Sequence, residues 1–110
     1  MGLTINQYQE GALRTMKPVK DGASQLVNGV MGLNGEAGEC IDILKKNMFQ
    51  GHELDTGKLI EELGDVAWYL AISADALGIK LEDIFQWNLE KLNRRYPEGF
   101  DAERSIHREE

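Results

Sequence analysis

A chain of 110 residues with 42% apolar and 28% charged residues has the makeup of one ordinary globular domain, with enough apolar content for a core but little margin. Its net charge of -7 argues against binding nucleic acid through a basic face, yet leaves room for a nucleotide substrate held through cations. No apolar run approaches the ~20 residues of a membrane span, no basic stretch leads into an apolar block as in a secretory signal, and the lone Cys40 excludes an internal disulfide, so a reducing, cytoplasmic setting is expected.

In chain order, Thr4 stands as the cap of a short first helix whose loose apolar side is Ile5, Tyr8 and Leu13, and Pro18 separates it from the rest. A longer helix is predicted from near Ser24 to Phe49, because Leu33, Ala37, Cys40, Ile41, Leu44 and Met48 recur at steps of three and four. The stretch "QGHELDTG" (50–57) breaks that pattern with two glycines and an Asp-Thr pair. A third helix runs roughly from Lys58 to Leu77, with Leu59, Leu63, Val66, Ala67, Leu70, Ala74 and Leu77 on one side and Gly78 as its stop. A fourth covers "KLEDIFQWNLEKLNRRYP", with Ile84, Phe85, Leu89 and Leu92 inward and Pro97 ending it. The charged segment 101–110 is expected to fray. No stretch alternates over strand length. The expectation is therefore a single all-α domain over 1–110, an antiparallel bundle of about four helices, thin enough that pairing with a second copy would complete it.

The second helix contains an anomaly. "GLNGEAGECIDILKK" (32–46) has helical periodicity but carries Gly35 and Gly38, each poor in a helix interior, and sets Glu36 and Glu39 one turn apart, where like charges repel. The third helix repeats the pattern, "ELGD" (62–65) against "EAGE" (36–39): acid, any residue, glycine, acid. Each pair projects from one side of its helix. If the helices fold back antiparallel, with small residues letting the backbones approach, four carboxylates meet. Such a set is costly unless divalent cations sit among it, and all-oxygen ligands favour Mg²⁺, Mn²⁺ or Ca²⁺. One ExxE alone is ordinary solvated helix surface; two with matched glycines point to a metal. A di-iron site would want Glu-x-x-His pairs, and neither His52 nor His107 supplies one.

These residues resemble the MazG-like branch of the all-α nucleoside triphosphate pyrophosphohydrolases, whose signature is ExxE, a variable spacer, then ExxD. Here that is Glu36 and Glu39, then Glu62 and Asp65, flanked by "MGLNGEAGE", "KLIEELGDVAWYLA" and "NLEKLNRRYPEGF"; the likeness runs from about Gln7 to Phe100. The resemblance implies cleavage of a nucleoside triphosphate, ribo- or deoxy-, between the α and β phosphates. It implies Mg²⁺, with Mn²⁺ as an alternative, held by Glu36, Glu39, Glu62 and Asp65. It also implies a homodimer or dimer-based tetramer, with no nucleic-acid or membrane partner.

Phosphoryl transfer adds further demands, because substrate charge must be neutralised and a water aligned. Glu39 is the expected general base among the four acids. Asn88, Lys91 and Arg95 share one face of the fourth helix, where Lys91 and Arg95 would clamp phosphate oxygens and Asn88 would bond a sugar or base edge; the bland account is a basic helix end favoured by the macrodipole. Tyr69, one turn after Asp65, either meets the nucleoside or is a half-buried bundle aromatic. Lys46 either reaches phosphate or offsets nearby acids, and His52 either enters the cleft or is a loop histidine. Trp68 and Trp87 are expected in the core or a subunit interface, and Cys40 as a small core residue. The competing function is a non-catalytic oligomeric helical module that binds nucleotides or a partner, its acids holding a structural ion.

Overall fold

The computed structural model describes residues 2–107. Five helices stand among them: α1 (Ile5–Leu13), α2 (Gly22–Phe49), α3 (Thr56–Ala76), α4 (Leu81–Arg95) and α5 (Ala102–Ile106). Local chemistry sets their ends. Thr4 Oγ1 accepts from the Gln7 N–H at 3.0 Å while the Thr4 N–H donates to Gln7 Oε1 at 2.9 Å, a reciprocal cap. Asp21 accepts from the Ser24 N–H at 2.7 Å, so α2 begins two residues ahead of the predicted Ser24. Asp55 accepts from the Lys58 N–H at 3.0 Å and starts α3 at Thr56. Gly51 and Gly78 follow α2 and α3 with φ of +73°, the left-handed conformation that turns the chain out of a helix. The segment expected to fray forms the short α5 instead, because Asp101 Oδ1 accepts from the N–H groups of Glu103 and Arg104. Residues 108–110 of that segment lie outside the described residues.

The frame is the α2–α3 hairpin, closed by the connection at 50–55. Its register is antiparallel: Gln25 Nε2 donates to the Ile72 carbonyl at 3.1 Å and to Asp75 Oδ2 at 2.8 Å, Gly29 faces Ser73, and Gly32 faces Tyr69. α1 and α4 pack on α3 and on each other. The core gathers there, with Ala12, Ala71, Ala74 and Leu81 buried and Ile5, Tyr8, Trp68, Leu70, Ile79 and Ile84 packed around them. Buried Gln9 is a clasp: its Nε2 donates to the Ala71 carbonyl at 3.1 Å, and its Oε1 accepts the Leu81 N–H at 2.9 Å. Trp68 joins this core and donates from Nε1 to Thr15 Oγ1 at 2.9 Å.

Several residues assigned inward by periodicity face out. Ile41, Met48, Leu63, Leu77, Phe85, Leu89 and Leu92 are exposed, as is Trp87, which therefore is not a core residue of the single chain. The physical reason is that periodicity identifies the apolar side of a helix but not what covers it. The short α1 covers only part of the hairpin.

Candidate metal centre

The antiparallel register places Glu36 of α2 level with Glu62 and Asp65 of α3. Glu62 and Asp65 project together because they are one turn apart. One carboxylate oxygen from each of the three lies within 4.8 Å of the others, and Glu62 is only 6% exposed. The close approach of the helices does not come from the glycines beside the acids: a Cβ on Gly35, Gly38 or Gly64 would meet nothing within 4 Å. It comes from Gly29 and Gly32. A Cβ on Gly29 would press on Ser73, 3.2 Å from its nitrogen and closer still to its hydroxyl, and one on Gly32 would collide with the Tyr69 ring. The sequence expectation for Gly35 and Gly38 is thus corrected. The helices meet one and two turns earlier on α2.

Crowding shows in the protonation of the set. The Glu36 carboxyl is pushed up to about 7, first by its hydrogen bond to Glu62, then by desolvation and the charges of Glu62, Asp65 and Glu39. Glu62 moves the other way: the hydrogen bond from Glu36, with Lys58 Nζ at 3.3 Å, outweighs its burial and holds it below the usual range. Glu36 is thereby held in its protonated form to a higher pH than an ordinary carboxyl, with the Glu62 carboxylate as the acceptor of its hydrogen bond. From α1, Tyr8 flanks the set, its phenol raised by burial and by the Asp65 charge.

The donors fit a hard divalent ion. A cation with ~2.1 Å bonds spans oxygens up to ~4.2 Å apart, and one with ~2.4 Å bonds up to ~4.8 Å. One oxygen from each of the three acids within 4.8 Å of the others is a spacing that a single such ion could bridge.

The family model of the MazG nucleotide pyrophosphohydrolase domain matches residues 28–100, which hold all of the acid set and its supporting glycines. The chain belongs to this family. The chain is 41% identical over 73 residues to the Gene 37 protein of Mycobacterium phage L5, covering 63% of this chain and 64% of that protein. It is 49% identical over 39 residues to the uncharacterized protein YvdC of Bacillus subtilis (strain 168), covering 36% of this chain and 37% of that one. The chain thus spans less than two thirds of these curated relatives. No solved structure matches. The family's chemistry is that of a nucleotide pyrophosphohydrolase, and no described helix is long and apolar enough to cross a membrane.

Of the other residues expected in the MazG site, Glu39 sits one turn beyond Glu36 on α2, outside the set of three but near enough that its charge acts on Glu36 and Lys58. It lines a cleft of about 250 Å³ at the hairpin tip with Asp42, Ile43, Lys46, His52, Glu53, Asp55 and Lys58. Lys46 pairs there with Asp42 at 3.1 Å. His52 is anchored through its backbone, its N–H donating to the Lys46 carbonyl and its carbonyl accepting from Asn47 Nδ2. Tyr69 is half-buried over Gly32, its ring edge-on to Trp68 at 5.0 Å. Asn88 is exposed on α4 with Lys91 and Arg95 half-buried, and none of the three lines the hairpin-tip cleft. Cys40 is half-buried and free. Lys58 and Tyr8 escaped the sequence reading. The four-residue step from Lys58 to Glu62 is a visible signal for the first; nothing in the sequence ties Tyr8 to Asp65.

Proposed function

We propose that the protein hydrolyses nucleoside triphosphates, ribo- or deoxy-, at the α–β phosphate bond, giving a nucleoside monophosphate and pyrophosphate, as cytoplasmic housekeeping of nucleotide pools. The convergence of Glu36, Glu62 and Asp65 inside the MazG match carries this reading. These three residues would hold Mg²⁺, or Mn²⁺, with Glu39 adjoining from the next turn. When bound, the ion neutralises triphosphate charge and acidifies a water. The chain's residues do the rest. Glu39 accepts a proton from the attacking water as its oxygen bonds to the α phosphorus, and the bond to the β-phosphate oxygen breaks with pyrophosphate as leaving group. Lys46, Lys91 and Arg95 bind phosphate oxygens, Asn88 bonds the sugar or base edge, and Tyr69 walls the nucleoside.

A homodimer or dimer-based tetramer completes this site. The accessible surface is 8238 Å², against about 6,100 Å² expected of a folded 12.4 kDa monomer. The radius of gyration is 17.0 Å, against ~13 Å for a compact chain of this length. In this reading a second copy packs on the apolar sides of α2 and α4 and offers its basic α4 residues to the acids of the first.

The deciding experiment incubates the protein with each ribo- and deoxynucleoside triphosphate and Mg²⁺ and assays pyrophosphate. Release is expected, and Glu39→Gln or Asp65→Asn should abolish it with the helical circular dichroism intact. Orthophosphate release, or turnover retained in both variants, would defeat the assignment. Nucleotide binding without turnover would favour the non-catalytic module.

A further inference from the structure

Gly32 lies deep inside the 28-residue α2, where glycine is a poor helix former, and it caps no end. What occupies the space of its missing side chain is the Tyr69 ring: a Cβ at Gly32 would fall on ring atoms Cδ1, Cε1 and Cζ together. The ring is held from a second direction by Trp68, whose plane meets it at 87°, and the indole is itself pinned to Thr15. Tyr69 stands one turn after Asp65, and Gly32 one turn before Glu36. The ring therefore lies on the rung of the hairpin next to the acid set, at the end away from the 50–55 connection. Unlike Gly35, Gly38 and Gly64, whose surroundings are open, Gly32 has the Tyr69 ring where its side chain would stand.

From this we infer that Gly32 is a positioning residue for the nucleoside end of the substrate. Its backbone is the seat that fixes the Tyr69 ring as the end wall of the acid set, so that a triphosphate with its phosphates at Glu36, Glu62 and Asp65 rests its nucleoside against that wall. A methyl group at position 32 lifts the ring and misplaces the wall while leaving the carboxylates on their own turns. The inference rests on the hydrolase reading above, and deepens it.

The test is a four-protein cycle of wild type, Gly32→Ala, Tyr69→Ala and the double variant, each assayed for pyrophosphate release and, separately, for Mn²⁺ binding by calorimetry. Gly32→Ala and Tyr69→Ala are each expected to raise KM about fivefold with kcat within about twofold, the signature of one lost ground-state contact. The double variant should match Tyr69→Ala alone, since removing the ring makes room for the methyl, and all four should bind Mn²⁺ alike. An unchanged KM in Gly32→Ala, or a double variant worse than Tyr69→Ala by the full factor, overturns the inference. Should Gly32→Ala fail to fold, Tyr69→Ala and the double variant decide. Equal KM and melting temperature in that pair supports the seat, and a lower melting temperature in the double variant refutes it. A wild type that releases no pyrophosphate defeats the hydrolase reading, and the inference falls with it; a wild type that does, with Gly32→Ala indistinguishable from it, defeats the inference alone.

Discussion

At the scale of single residues, the hydrogen bond of Glu36 to Glu62 governs how the site meets a cation. Glu36 holds its proton up to about 7, against an ordinary 4.5. Ligation requires the carboxylate, so a divalent ion bound by this set below about pH 7 would displace a proton. Divalent-ion affinity should therefore strengthen as pH rises toward 7, by up to about tenfold per pH unit, and level off above it. Calorimetry in buffers of different ionisation heat would show the proton release, and a flat affinity between pH 5.5 and 7 would contradict it. Stability without metal has the opposite sign. Between 4.5 and about 7 the folded chain binds a proton that the unfolded chain has lost, so Glu36's contribution is full below 4.5 and is lost as pH rises through 7. Glu62, lowered, contributes above its ordinary value and loses that contribution under acid. Urea titrations of the metal-free protein at pH 5 and pH 8, compared with Glu36→Gln, should show the variant losing the decline above pH 5. The sequence reading named Glu36, Glu39, Glu62 and Asp65 from their paired spacing together with the family likeness, because i,i+3 carboxylates share a helix side whatever the tertiary fold; the structure brings Glu36, Glu62 and Asp65 together and leaves Glu39 outside that set. The sequence reading could not find the unequal protonation, which depends on an interhelical hydrogen bond.

At the scale of elements, two contacts hold the hairpin and its cover in place. Gln9 ties α1 to α3 and to the first turn of α4. Gln9→Ala leaves the buried Leu81 N–H without its acceptor and should cost ~2 kcal/mol, read from chemical denaturation with an unchanged slope. On the other side, Gly29→Ala drives a methyl into Ser73 and should destabilise by ~1–3 kcal/mol. Adding Ser73→Ala should recover part of that loss, because the hydroxyl is the nearest obstacle and has no hydrogen-bond partner to lose. Helix ends at Thr4, Gly78 and Pro97 were legible because capping and chain reversal are local chemistry. The short helix after Asp101 was also signalled locally, by an acidic cap, but the high charge of that segment masked it.

At the scale of the whole molecule, the apolar surface is unbalanced. Trp87 and Leu89 are each 55% exposed on α4, Val27 and Met31 57% and 70% exposed on α2, and only five apolar residues are buried among those described. Light scattering should find a dimer or tetramer. Trp87→Glu, which puts a charge on that face, should shift the protein toward smaller species and reduce pyrophosphate release with them. A wild type that stays monomeric at micromolar concentration would show that the open face is not an interface between copies.

What the sequence by itself determined was the first four helices, the pairing of acids on single helix turns and the likeness to a nucleotide pyrophosphohydrolase family. The helices and the acid pairs depend on residues within a turn or two of one another, and the likeness on short motifs read in order along the chain. What only the tertiary structure decided was which glycines bring the helices together, which carboxyl of the set is raised and which lowered, and that the Tyr69 ring sits over Gly32. Those depend on the register between α2 and α3, a relation between residues far apart in the chain that propensity and periodicity do not encode, and that is set by which side chains fit where the two backbones touch.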